Sequence, residues 1–165
     1  MIISPKMQDA INAQIGMEFS ASIKYDAMAA YFSAEALPLL AKHFFKQATE
    51  ERAHAHRFLK YVLDVGGRVK IPAIGAPPHT YKSAAEAAQT ALDSEVAVTN
   101  SINAIMDLAL AEKDHATAAM LQWFVTEQVE EVSSADQLLR IIERAGEKNM
   151  LLVEDYLADT EAHAG

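Results

Sequence analysis

Six polar residues stand where helical spacing calls for apolar ones: Glu18, Glu51, His54, Glu95, Gln128 and Glu131. Glu51 and His54, in the stretch "ATEERAHAHRF", are three residues apart, so on a helix they project to the same side and can chelate one ion together. Four carboxylates gathered in one buried layer cannot all stay ionised and unpaired, because burying a single lone charge already costs several kcal/mol. No Lys or Arg in the same stripes sits at that level to pair with them. Two divalent cations would neutralise the four acids, and a neutral imidazole would add a nitrogen ligand. Such oxygen-rich, nitrogen-poor ligation suits iron or manganese. Taken singly, a Glu-x-x-His pair is usually a solvated surface pair and a lone buried acid is usually salt-bridged. The coincidence of all of them at one level favours metal.

The elements that must position these residues are long helices. The spacing predicts helices over about Ser4–Ala34, Pro38–Val65, Ser83–Lys113 and Ala116–Ala145, with a shorter fifth segment from about Asn149 to Ala162. Pro5 suits a first helical position, Ser83 with Glu86 forms a capping box, and Gly146 closes the fourth helix. The stripes read Ile11, Ile15, Glu18, Ser22, Tyr25, Ala29, Phe32; then Phe44, Gln47, Glu51, His54, Phe58, Tyr61, Val65. The third and fourth read Ala88, Ala91, Glu95, Val98, Ile102, Ile105, Ala109 and Leu121, Phe124, Gln128, Glu131, Ala135, Leu138, Ile142. Each stripe holds its polar residues near the helix midpoint, and the midpoints of four similar helices meet in one layer. The fold expected is all-α: a four-helix bundle, with a single domain over residues 1–165.

Short links after the first and third helices predict antiparallel hairpins. The link "GGRVKIPAIGAPPHTYK", residues 66–82, is different. Extended, it reaches roughly 56 Å at ~3.3 Å per residue. A helix of about 28 residues is ~42 Å long. The link can therefore cross the length of the bundle and set the second and third helices parallel. The two halves also echo each other: at one common offset Glu50 matches Glu127, Glu51 matches Gln128 and His54 matches Glu131, as in a duplicated hairpin.

Composition narrows the function classes. The chain has 165 residues, half of them hydrophobic, enough for one sizeable core. It has no cysteine, which excludes disulfide scaffolds, thiolate metal sites and thiol catalysis. A net charge of −9 argues against nucleic-acid binding through a basic face and suits attraction of cations. No apolar run reaches the length of a membrane span, and no secretory signal is visible, so a cytoplasmic protein is expected. His43, His56, His79, His115 and His163 show no partner pattern and read as surface residues.

Glu18, Tyr25, "EERAH" at 50–54, Glu95 and "LQWFVTEQVEE" at 121–131 resemble the bacterial non-haem ferritins, and the resemblance extends over nearly the whole chain. It implies a ferroxidase that takes Fe(II) with O₂ or H₂O₂ and deposits ferric mineral in a hollow homo-oligomeric shell of 24 subunits. It further implies that Glu18, Glu51 and His54 hold one iron, that Glu51 bridges to a second held with Glu95 and Glu131, and that Gln128 holds a water or bound oxygen species. Tyr25 would supply an electron to O₂ reduction; a hydrogen-bonded core tyrosine is the alternative. Glu50, Glu127 and Glu130, with Glu131, would form a third iron site, against a solvated acidic patch. Trp123 resembles a family tryptophan near the site, with core packing as its main role. Bacterioferritins bind haem through a Met directly after the bridging Glu. Here that residue is Arg52, so no haem is expected. The alternative function is a non-storage di-iron or di-manganese oxidase or peroxidase bundle.

Overall fold

Caps and prolines set where the helices begin. The computed structural model describes residues 2–163: α1 (Pro5–Ala34), α2 (Pro38–Asp64), α3 (Ala84–Glu112), α4 (His115–Ala145) and α5 (Met150–His163), with one 3₁₀ turn at Glu147–Asn149. The Ser4 side chain accepts the N–H of Met7, and Pro5 follows it in the first turn. Ser83 accepts the N–H of Glu86, and Asp114 that of Thr117. Asp114 therefore starts α4 at His115, one residue ahead of the expected Ala116. Val65 and Lys113, expected inside their helices, are C-caps, Lys113 in the left-handed region at φ 56°.

α2 has no side-chain cap of its own. Its free N–H groups are taken from a distance: the buried carboxylate of Glu154 on α5 accepts from Leu39 and Leu40 at 2.8 and 2.9 Å. Glu147 does the same for Ala84 and Ala85 at the start of α3, at 3.2 and 3.3 Å. An anion at a helix N-terminus satisfies orphan donors and meets the positive end of the dipole. The C-terminal segment is thus tied to the bundle by two carboxylates.

Paired contacts give the topology. Ile2 N–H reaches Val65 O at 3.0 Å, so α1 and α2 are antiparallel. Ser4 bonds Glu112, Gln14 bonds Ser101 and Tyr25 bonds Glu95, so α1 and α3 are antiparallel as well. α2 and α3 therefore run parallel, as the crossover length predicts. The crossover is stitched to α1 rather than loose. Arg68 N–H donates to Gln8 Oε1 at 2.7 Å, Asn12 donates to Arg68 O at 3.0 Å and accepts from Lys70 N–H at 3.0 Å. Farther on, Pro72 lies so close to Gly16 that a Cβ there would sit 2.2 Å from Pro72 Cγ.

The core falls into two apolar clusters. One contains Ile11, Ile15, Phe58, Ile102, Leu121 and Phe124. The other contains Met28, Phe32, Phe44, Ala88, Leu138 and Ile142. On every long helix the interrupting polar residues fall at the junction between them. Almost every expected stripe position is buried; Gln47, Tyr61 and Ala135 are half-buried. α5 buries Met150 and Val153 but leaves Leu151 and Leu152 exposed, at 71% and 61%. No helix among the described residues is long and apolar enough to cross a membrane.

Candidate metal centre

The junction layer is a buried acidic site. Glu18, Glu51, His54, Glu95, Gln128 and Glu131 are all at most 8% exposed. Glu18, Glu51 and His54 each offer one ligand atom, and these atoms lie within 4.8 Å of one another. His54, Glu127 and Glu131 make a second such group, so the imidazole faces both. His54 Nδ1 is 3.5 Å from Glu51 Oε2. Glu18 Oε2 and both oxygens of Glu51 are buried with no N–H or O–H donor. Desolvated carboxylate oxygens without donors call for a cation or a proton.

The protonation equilibria say the same. Burial pushes Glu51 up to about 8, helped by the charges of Glu95, Glu131 and Glu50 and opposed by Glu18, which when protonated can share its proton with it. Glu131 rises to about 7, from burial first and then from Glu95, Glu50 and Glu127, with His54 pulling the other way. Glu18 is held well above the usual carboxylate range by burial and by Glu51 beside it. Burial raises Glu95 too, although hydrogen bonds from Tyr25 and Gln128 favour its charged form.

Glu95 belongs to neither close group because its carboxylate is already engaged. It accepts a short hydrogen bond from Tyr25 Oη and a 3.3 Å one from Gln128 Nε2. Gln128 also donates to Glu95 O at 3.3 Å and Thr99 Oγ1 at 3.1 Å. Glu50 is half-buried, with Lys46 3.6 Å away. Glu127 is half-buried and joins His54 and Glu131. Glu130 lies on the exposed side of α4 and in neither group, since one residue turns a helix by about 100°.

Two residues at the site, Gln14 and Lys24, escaped the sequence reading. Gln14 is fully buried; its amide donates to Glu18 Oε1 at 2.7 Å and accepts from Ser101 Oγ at 2.5 Å. It stands four residues before Glu18, on the same helix face, which is the signal that could have found it. Lys24 brings a cation toward this level from outside the stripes. It lies off the stripe and half-buried, and its ammonium donates to Ser94 Oγ at 2.9 Å. Burial lowers its pKa, while Glu95, Asp93 and Glu51 resist the fall. Trp123 is half-buried and edge-on to His54 at 5.5 Å between ring centroids, with Arg57 stacked 3.9 Å over its ring. His43 and His56 also have partners, packing on the rings of Phe44 and Phe19. The side chain of His163 lies outside the described residues.

Comparison with known proteins follows the same lines. The profile of the Ferritin-like domain family matches residues 8–145. Ferritin BfrB of Mycolicibacterium smegmatis is 40% identical over 163 residues, spanning 99% of this chain and 90% of that protein. The bacterial non-heme ferritin of Bacteroides fragilis is 35% identical over 156 residues, 94% of this chain and 98% of its own length. An open pore ferritin from the hyperthermophilic archaeon Archaeoglobus fulgidus superposes with a TM-score of 0.91 at 36% identity, covering 94% of this chain and 96% of that one. With likeness running through all four long helices and on into α5, the chain belongs to the ferritin family.

Proposed function

We propose that this chain is an iron-storage ferroxidase, with Fe(II) as its substrate and O₂ or H₂O₂ as the oxidant. The observation that carries the reading is the set of three buried, donor-free carboxylate oxygens on Glu18 and Glu51 beside His54. Glu18, Glu51 and His54 would hold one Fe(II), and Glu51, Glu95 and Glu131 the second. Rotation of the Glu95 carboxylate away from Tyr25 would bring it to the ion. Each incoming cation displaces protons from these acids, and Glu131 and Glu50, toward the half-buried side, can pass them out. Tyr25, on Glu95, is placed to donate a proton or an electron, and Gln128 to orient a water or oxygen species. His54, Glu127 and Glu131, with Glu50 nearby, are the natural third position, and Glu130 would join it from the exposed side of α4.

Ferric product would collect inside a closed shell of 24 copies in the cytoplasm. No haem is expected, because a cationic guanidinium at Arg52 is a poor axial ligand. The test is aerobic addition of Fe(II) to the purified protein, following ferric absorbance and particle size. Glu51→Ala should abolish the fast phase while leaving the helical content unchanged. A variant that oxidises Fe(II) as fast as wild type would remove the site assignment.

A further inference from the structure

Beside the acidic layer lies a cavity of about 20 Å³. One wall is the site itself: Tyr25, Glu95 and Glu131. The opposite wall is apolar, made by Phe44, Ala88, Ala91, Ala135 and Leu138. About 10–15 Å³ suffices for one water-sized molecule, so the cavity takes one small guest. His43, Ser134 and Leu138 line it and also line a wider groove of about 220 Å³ beneath α5, so these residues form the neck between the two.

We propose that this cavity is where dioxygen reaches the carboxylate centre, on a route separate from that of the iron. The proposal rests on the ferroxidase reading for the identity of the oxidant. Away from the Glu95 and Glu131 wall a cation, which needs about six oxygen ligands, meets mainly alanine methyls and a phenyl ring, so the space is a poor path for iron. It also suits hydrogen peroxide poorly, since peroxide carries donors and acceptors at both ends and most of the surface lining the space is hydrocarbon. A resting water can bond to Gln47, whose amide oxygen is buried without a donor and which lines the same space. Such a poorly held water is displaced at a gain by an apolar molecule. Dioxygen seated there lies against the Tyr25 and Glu95 wall. The three alanines keep the space open, because any longer side chain at Ala91 or Ala135 fills it.

Two measurements test this. In metal-free protein under oxygen pressure, paramagnetic relaxation should be stronger at the methyls of Ala91 and Ala135 than at Ala118, which is half-buried like Ala135 but remote, on the other core cluster. Equal relaxation at all three overturns the proposal whatever the iron chemistry proves to be. In stopped-flow oxidation of Fe(II) at varied dissolved oxygen, Ala91→Val, filling the cavity, and Ser134→Phe, at the exposed side of the neck, should raise the KM for oxygen several-fold. The rate at saturating oxygen and anaerobic Fe(II) binding should stay at wild-type values. Unchanged oxygen dependence in Ala91→Val overturns the proposal, as does a loss of rate that is uniform across oxygen concentrations. A wild-type protein that oxidises no Fe(II), yet shows the oxygen relaxation, removes the ferroxidase reading and leaves the cavity as an oxygen site.

Discussion

Gln14 shows how much of the centre rests on residues that would never touch metal. It holds Glu18 from one side while Ser101 of α3 holds it, so two helices fix one carboxylate. Gln14→Leu keeps the volume and removes both bonds. We expect anaerobic Co²⁺ binding at the Glu18–Glu51–His54 position to weaken about 10–100-fold, the usual effect of losing an outer-shell partner. Wild-type Co²⁺ affinity in the variant would show that Glu18 needs no such support. The raised carboxylates make a second prediction, about pH. Their folded-state pKa values, about 8 for Glu51 and about 7 for Glu131, lie above the unfolded value of 4.5. Between those limits the folded state binds more protons, so metal-free stability falls as pH rises from 4.5 toward about 8. Thermal scans of metal-free protein from about pH 5.5 to 8.5 should show this decline, and Glu51→Gln should make it shallower, because an amide does not titrate while Glu131 still does. A midpoint that rises over that range would contradict the burial argument. The ligand candidates were legible in the sequence because a carboxylate inside an apolar stripe must be neutralised once buried, and four at one level call for a shared cation. Gln14 and Lys24 were not: a neutral amide and an off-stripe lysine reveal their roles only when a second helix supplies Ser101 or Ser94.

At the scale of elements, the helices followed from caps and periodicity to within a residue or so, since Pro5, Ser83 and Gly146 act locally. What holds α2 at its start was invisible, because the cap comes from Glu154 in α5. Glu154→Ala should cost about 1–2 kcal/mol, the value of a lost N-cap. It should also speed amide exchange at Leu39 and Leu40. Leu40 lies eleven residues before Glu51, ~16 Å along the helix axis, so iron oxidation should be unaffected. Normal exchange at those two amides would mean that water replaces the carboxylate without cost. The crossover was half legible in the same way. Its length announced that it spans the bundle, but its seating on α1 depends on Asn12 pairing with Arg68 and Lys70, and on Gly16 leaving room for Pro72. Those are contacts between distant positions that no periodicity encodes.

For the whole molecule, the informative surface is the outer side of α5. The helix is anchored through Met150, Val153 and Glu154, and Gln137 donates to Tyr156 Oη at 3.1 Å. Leu151 and Leu152 are left at 71% and 61% exposed. Burying a leucine is worth about 1.5–3 kcal/mol, so two per copy, repeated around a closed assembly, is a substantial bias toward association. Adjacent exposed leucines on a helix that is otherwise tied down point to a contact with further copies of this chain, in keeping with the proposed shell. Leu152→Asp would place a charge in that contact without touching the residues that dock α5 on its own bundle. Sedimentation should then show species much smaller than the wild-type particle, while anaerobic Fe(II) binding per chain stays the same. Leu152→Met, which keeps the apolar area, should assemble normally. If Leu152→Asp sediments with wild type, the leucines face solvent in the assembly. If wild type is itself a monomer or dimer, there is no closed interior for mineral, and the protein is an oxidase without a store.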